Sequence, residues 1–514
     1  MASLSGRLRA ASWNRETAFL LGLALIALVA FAIRLFWVLE VQPPGEAVFS
    51  DMRSYIHRAV WLVLRQQEIS DSRALDAALF PYGVHYFYAL QLVLSGLASP
   101  EIGEQMRYHY AGTDLTALAV VQAVANALVV IFSMLAARRC MRSPWGPIAT
   151  GVLVAVWHPL VSYAGFFSSE TPYACMVSLS FWLWLRYAQT GKGALGAGLA
   201  TAAGFTMRPQ LLLTAVLGIA WLLYRRKRLA HFRVAQLAWL AAPLLLVVAF
   251  SAWRFHSFTG EWGLISGNAA IGRFFAATDY ASIAADDRRT FQPPARSTSN
   301  GFEGVFEFEG FISDAAPLEA ERERIWSART TLEKLGTLRR NVLLLFRDNR
   351  LWPERNAAKY AAAFAAAGER MRLERADTDR REIQRRAREV ERSVAREAGE
   401  ASAWRQGLLT VFEPVVFWGL VPLACIGLLV VVRRFNPGLE IAALHVGTMV
   451  YSAAAYFGEA RYRVPYDPLL ILLAVAGILT LIRIEGSTEP QDRVTAIAAG
   501  AALVSLVAFL AVPW

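Results

Sequence analysis

The sequence predicts an all-α polytopic membrane protein with about eleven transmembrane helices. Three observations predict it. Hydrophobic residues make up 56% of the 514 positions, with a mean hydropathy of +0.36. They fall in long blocks with charges pushed to the edges, not scattered at the period of a surface helix or strand. Aromatic residues reach 12%, and Trp and Tyr favour membrane interfaces.

The net charge of +11 does not mark a nucleic-acid binder. The basic residues sit in short clusters between apolar blocks, as membrane topology requires. Arginine supplies nearly all of them; the lysines are Lys192, Lys227, Lys334 and Lys359. The three cysteines, Cys140, Cys175 and Cys425, are too scattered for a disulfide framework or a thiolate metal site.

The basic clusters order the spans, because cytoplasmic loops retain Lys and Arg. Arg7, Arg9 and Arg15 keep the N-terminus cytoplasmic, and the apolar run Ala18–Val38 is long enough for a retained first span, about 17–39. Residues 40–111 then form a first external loop. Span 2 (about 112–137) returns to Arg138, Arg139 and Arg142. Span 3 (about 146–164) goes out and span 4 (about 172–189) comes back to Arg186 and Lys192.

From Gly193 to Tyr224 the chain is apolar, with basic residues beyond both ends, so the number of crossings is even. A hairpin with Met207-Arg208-Pro209 at its outer apex satisfies this. Its arms of about 14–16 residues are short for lipid-exposed spans and need cover from neighbouring helices. Span 7 (about 235–256) opens a long external region. Spans 8 (about 406–432), 9 (about 438–456), 10 (about 467–482) and 11 (about 494–512) complete the chain. The resulting organisation is an N-terminal membrane module (1–257), an external and mostly helical domain (258–405), and a C-terminal membrane module (406–514). Within the external region, 258–317 reads as irregular loop and 318–404 as helix. Ile383, Ala387, Val390, Val394, Ala398 and Ala401 form a narrow apolar seam there.

The polar residues gather on the outer face. On a helix, Asp51, Tyr55 and Arg58 share one side while Met52, Ile56, Ala59 and Val63 share another, which suits a helix lying in the interface with its apolar side in lipid. Ser50 is placed to cap it. Asp51 then either supports the first turn or serves as a reactive carboxylate. Glu170, just before Thr171-Pro172, has the same two readings at a helix start. Arg208 at the hairpin tip needs a partner or a route to the headgroups. Arg254, Arg461 and Arg463, with Glu459 beside the last two, join it at that depth. Arginine binds phosphate through a planar fork of donors, and snorkelling to lipid headgroups is the plainer alternative. His85 is external, with no metal-ligand spacing around it. A divalent ion could be held by Asp51 and Glu170, but no spacing calls for one.

At these residues the chain resembles the GT-C superfamily of membrane glycosyltransferases, in particular the bacterial branch related to protein O-mannosyltransferases and to lipid A aminoarabinose transferases. Four places carry the resemblance: Ser50-Asp51-Met52-Arg53-Ser54-Tyr55; Phe80-Pro81-Tyr82-Gly83-Val84-His85-Tyr86; His158-Pro159 through Glu170, with Arg208-Pro209; and Gly458-Glu459-Ala460-Arg461-Tyr462-Arg463-Val464-Pro465-Tyr466-Asp467-Pro468. It spans most of 17–485. Two features depart from the protein O-mannosyltransferases and argue against that acceptor. Met52 stands where an Asp-Glu pair is the rule, and 318–404 reads as helical where they carry a β domain.

The resemblance implies an inverting glycosyltransferase of the bacterial inner membrane, with its active site on the periplasmic or extracytoplasmic face. The donor would be a polyprenyl-phosphate sugar, and the acceptor a glycan, lipid or protein. Asp51 would be the general base and Glu170 a second catalytic carboxylate. Tyr55, Arg58, His85, Arg208, Glu459, Arg461, Tyr462 and Arg463 would bind substrate, the arginines stabilising the leaving phosphate. The resemblance fixes no cofactor and allows a divalent metal at Asp51 and Glu170. Two other classes fit the same outer-face residues: a transporter or flippase of a lipid-linked saccharide, and a non-catalytic membrane scaffold. Span interiors nearly free of charge favour the enzyme over the transporter.

Overall fold

The computed structural model describes residues 2–42, 51–64, 80–97, 115–277, 299–302, 306–309, 315–347, 381–394, 415–433, 435–456 and 458–482, together with 366, 369, 373 and 396. Among them the chain is helical except for one short hairpin. Among the described residues four helical stretches are long and apolar enough to cross a membrane: Glu16–Val41, Thr116–Cys140, Val234–Thr259 and Ala460–Leu481. The shorter apolar helices are Gly83–Leu94, Trp145–Val156, Ala194–Met207 and Trp418–Leu429. The expected span at 494–512, the capping Ser50, residues 43–49, 65–79 and 98–111 of the first loop, and the seam positions Ala398 and Ala401 lie outside the described residues.

In chain order the helices are α1 (Ala2–Phe36), which continues into a π turn at Trp37–Val41, α2 (Asp51–Leu64), α3 (Gly83–Leu94) and α4 (Thr116–Cys140). Then come α5 (Trp145–Val156), α6 (His158–Tyr163), α7 (Glu170–Thr190), α8 (Ala194–Met207), α9 (Gln210–Arg225) and α10 (Leu237–Thr259). The later part holds α11 (Asn268–Ala277), α12 (Ala315–Ala328), α13 (Thr331–Arg347), α14 (381–394), α15 (Val421–Arg433), α16 (Pro437–Ala455), the single turn α17 (Ala460–Arg463) and α18 (Asp467–Leu481).

One end of the bundle is basic. Arg138 at the end of α4 pairs with Glu16 near the start of the apolar part of α1. Gln189 near the end of α7 donates to the Arg139 carbonyl at 3.0 Å. Arg225 at the end of α9 meets Glu440 in the first turn of α16 at 3.0 Å. Asn436 caps α16 through its side-chain oxygen and donates to the Cys140 carbonyl at 2.8 Å. Arg226, Lys227 and Arg228 follow directly in the chain and are exposed. The opposite end therefore receives the start of α7, the tip of the α8–α9 hairpin and the segment after α16.

The interior of the bundle contains a charge that the apolar reading of the spans overlooked. Arg34 in α1 is fully buried. Its cause is a break in the neighbouring helix. The Ala155 carbonyl of α5 would accept from residue 159, but Pro159 has no N–H. Arg34 supplies the missing donors: Nη1 to Ala155 O at 2.8 Å and Nη2 to Val154 O at 3.2 Å. Its Nε donates to Asn126 Oδ1 at 2.6 Å. Arg34→Leu leaves these acceptors buried and unpaired, at about 1–3 kcal/mol each. The variant is expected to melt at clearly lower temperature in detergent; a melting curve equal to the parent's contradicts the capping role.

Two sequence expectations change. The apolar side of α2 does not face lipid: Met52, Ile56 and Ala59 are buried in the protein core, where α2 packs on α3. A two-sided helix buries in protein when a second helix is available to cover it. Residues 258–317 are not all irregular loop. Ala270, Ile271, Phe274 and Ala277 repeat at helical spacing and form the buried side of α11. Strands Ser299–Phe302 and Phe306–Glu309 pair antiparallel, with Phe302 opposite Phe306. The alternation Phe306-Glu307-Phe308-Glu309 was the available signal, hidden in a Gly- and Ser-rich stretch.

Candidate functional site

Arg208 is placed by its neighbour. The residue before a proline is driven out of the helical region, and Arg208, before Pro209, is extended at φ −149°, ψ 128°. This ends α8 and turns the guanidinium toward the start of α7. Its Nε and Nη2 donate to Ser169 Oγ at 3.0 and 2.8 Å, and Nη2 pairs with Glu170. Both charged side chains are buried. Glu170 gains from the positive end of α7. Burial pushes its carboxyl upward, but the guanidinium groups of Arg208 and Arg461, together with the Ser168 hydroxyl and the backbone N–H, hold it below the usual carboxylate range.

Asp51 opens α2 and meets the late segment. Arg461 Nη1 donates to Asp51 Oδ2 at 3.0 Å, and its Nε lies 2.8 Å from Glu459 Oε2. Arg461 Nη2 donates to the Tyr462 hydroxyl at 3.0 Å. The Tyr462 ring joins the two arginines, 4.9 Å from the Arg461 guanidinium and 5.1 Å from that of Arg208. Three carboxylates (Asp51, Glu170, Glu459) and two guanidinium groups from four chain segments thus form one connected cluster. Tyr55, one turn after Asp51, is buried beside it. Burial first, then the negative charges of Asp51 and Glu170, raise its phenol well above the ordinary range.

A second, basic and aromatic group adjoins the first through Tyr55, whose ring lies 5.5 Å from that of His85. Arg58 Nη1 is 3.4 Å from His85 Nε2, and its guanidinium sits 5.3 Å from the Phe80 ring. Arg254 from α10 stacks over Tyr82 at 4.9 Å and Phe258 at 4.7 Å. No ion pair joins Arg254 to a carboxylate among the described residues. Burial, then the charges of Arg58 and Arg254, hold the His85 imidazole well below its ordinary value, so it is neutral.

Arg463 belongs elsewhere. The sequence puts it with Arg461 at the substrate, but it is fully buried and turned the other way. Its Nε donates to Asp467 at 2.8 Å, one helical turn on, and Nη1 to the Leu345 carbonyl at 2.8 Å. Trp157 Nε1 completes Asp467 at 2.7 Å. Residues 461 and 463 cannot share a face in a single helical turn, which the motif alone does not reveal. Sequence reasoning also missed Ser169, which takes two of the donor contacts of Arg208 and does not cap α7, although a Ser just before a helix start was a position to examine.

Asp51 and Glu170, the carboxylates that could hold a divalent ion, each face an arginine. Among the described residues no group of three or more His, Cys, Asp or Glu comes together as a metal site. Comparison with protein-family models, curated proteins and solved structures finds no match to this chain.

Proposed function

We propose that the chain is an inverting, GT-C-type glycosyltransferase that moves a sugar from a polyprenyl-phosphate donor to an acceptor hydroxyl at the extracytoplasmic face of a bacterial inner membrane. The observation that carries the reading is the convergence of Asp51, Arg461, Tyr462, Arg208 and Glu170 at the end of the bundle away from the basic loops. Basic loops stay in the cytoplasm, so the cluster belongs on the other side. About eleven spans, with α2 and α3 kept in the external loop and the last span at 494–512, would satisfy the same rule.

In this reading Arg461 holds Asp51 by one carboxylate oxygen and so aims it. Asp51 takes the proton of the acceptor hydroxyl. The acceptor oxygen forms its bond to the anomeric carbon as the bond to the phosphate oxygen breaks from the opposite side. The electron pair leaves with polyprenyl phosphate, and the configuration inverts. Arg254, which makes no ion pair with a carboxylate among the described residues, is better placed for that phosphate than Arg208, Arg461 and Arg463, which already face carboxylates; Arg58 and His85 adjoin the substrate. Glu170, fixed by Arg208, borders the sugar or acceptor.

A transporter would also hold charge inside its spans. Arg34 is such a charge, but its donors are used in repairing α5, which favours the enzyme. Purified protein given polyprenyl-phosphate sugars of known anomeric configuration should release polyprenyl phosphate and yield the opposite anomer. Retention of configuration, or no release from any donor, sinks the proposal.

A further inference from the structure

Residues 458–463 carry Glu459, Arg461 and Tyr462, yet they form only the single turn α17, followed by a 3₁₀ turn at Val464–Tyr466. A lone turn does not hold its own shape, because one hydrogen bond does not offset the ordering of its residues. Something else must set where Arg461 points.

Both ends of this segment are fastened to the same helix, α13. At one end, Gly458 packs so closely on the Asn341 carbonyl that a Cβ there would overlap it. At the other, Arg463 donates to the Leu345 carbonyl at 2.8 Å. Asn341 and Leu345 are four residues apart and share a face of α13. Leu345 lies in the last turn, where helix carbonyls lack helical donors and a cation is favoured. Asn341 is itself buried and donates to the Ala276 carbonyl at 3.0 Å, which ties α13 to the end of α11. Arg463 also holds Asp467 at the start of α18. The segment is therefore stretched between two fixed points, with Arg461 between them.

We propose that α13 is a splint for the late segment: Gly458, Asn341 and Arg463 are positioning residues that hold Arg461 against Asp51. This gives Arg463 a role other than phosphate binding. It also makes a helix of the long polar region, remote in sequence from the cluster, a determinant of activity. The kinetic part rests on the transferase reading; the structural part does not.

Two variants of the full chain in detergent test it. Gly458→Ala should push the segment off α13. Arg463→Lys keeps a positive charge for Asp467 but, with one nitrogen, cannot also reach Leu345 as the guanidinium does. Each should raise amide hydrogen exchange across 459–462 by about tenfold or more, while exchange in α4 and α7 stays protected. Each should lower kcat by about tenfold to a hundredfold with the donor KM unchanged, as misplacement of a catalytic group does. Exchange at 459–462 equal to the parent's in a folded variant overturns the splint. So does raised exchange with an unchanged kcat. A parent protein without transfer activity overturns the transferase reading instead, and the exchange result still decides the splint.

Discussion

Asp51→Asn is expected to lower kcat for sugar transfer by about 100- to 10,000-fold, the range lost when a positioned general base is removed. The substitution is nearly isosteric, and its side-chain oxygen can still accept the hydrogen bond from Arg461 now recorded at 3.0 Å. Arg461 also keeps Glu459 at 2.8 Å. Expression and melting temperature should therefore match the parent, and donor KM should change little because the phosphate is held by other residues. What is lost is the basic carboxylate itself. Transfer kinetics on purified protein check this; full activity in the variant removes Asp51 from the role of base.

The second large effect falls on the buried pair of Glu170 and Arg208. Removing one partner leaves a buried charge uncompensated, which costs roughly 3–5 kcal/mol. Arg208→Ala should accordingly unfold at much lower denaturant or temperature than the parent. Replacing both charges with apolar side chains of similar size often restores stability. Glu170→Leu combined with Arg208→Met should recover most of the lost stability while transfer remains absent. Thermal melting and kinetics together separate the two roles. A double variant that is both stable and active would make the pair structural only.

The outline of the fold was legible because it rests on block hydropathy and charge placement. The hairpin of short helices with Arg208 at its tip is an example: the sequence expects two short apolar arms that meet at Met207-Arg208-Pro209, and α8 and α9 meet there. The residue types of the candidate site were legible for a similar reason. Asp51, Glu170, Arg208 and Arg461 are charges at the ends of apolar blocks, where charge needs a purpose.

Pairing was not legible, because it depends on side-chain direction across long sequence separations. Arg461 and Arg463 look alike in the motif, yet one reaches Asp51, 410 positions away, and the other an interior carboxylate four residues on. Arg34 was hidden inside an apolar run, and its explanation lies in the missing N–H of Pro159 on another helix. The helix α11 and the later hairpin were masked by composition, since Gly, Ser and Asp outnumber the periodic apolar positions in that stretch of the sequence.

The most direct test of the central claim is photo-crosslinking with a polyprenyl-phosphate sugar that carries a photoreactive group on the sugar, followed by peptide mapping. One site built from separate segments predicts labelling within 51–58, 80–88 and 459–462, with each label suppressed by excess unmodified donor. Competable labelling confined to the interiors of α8, α9 or α10, with none in those three segments, would contradict the account.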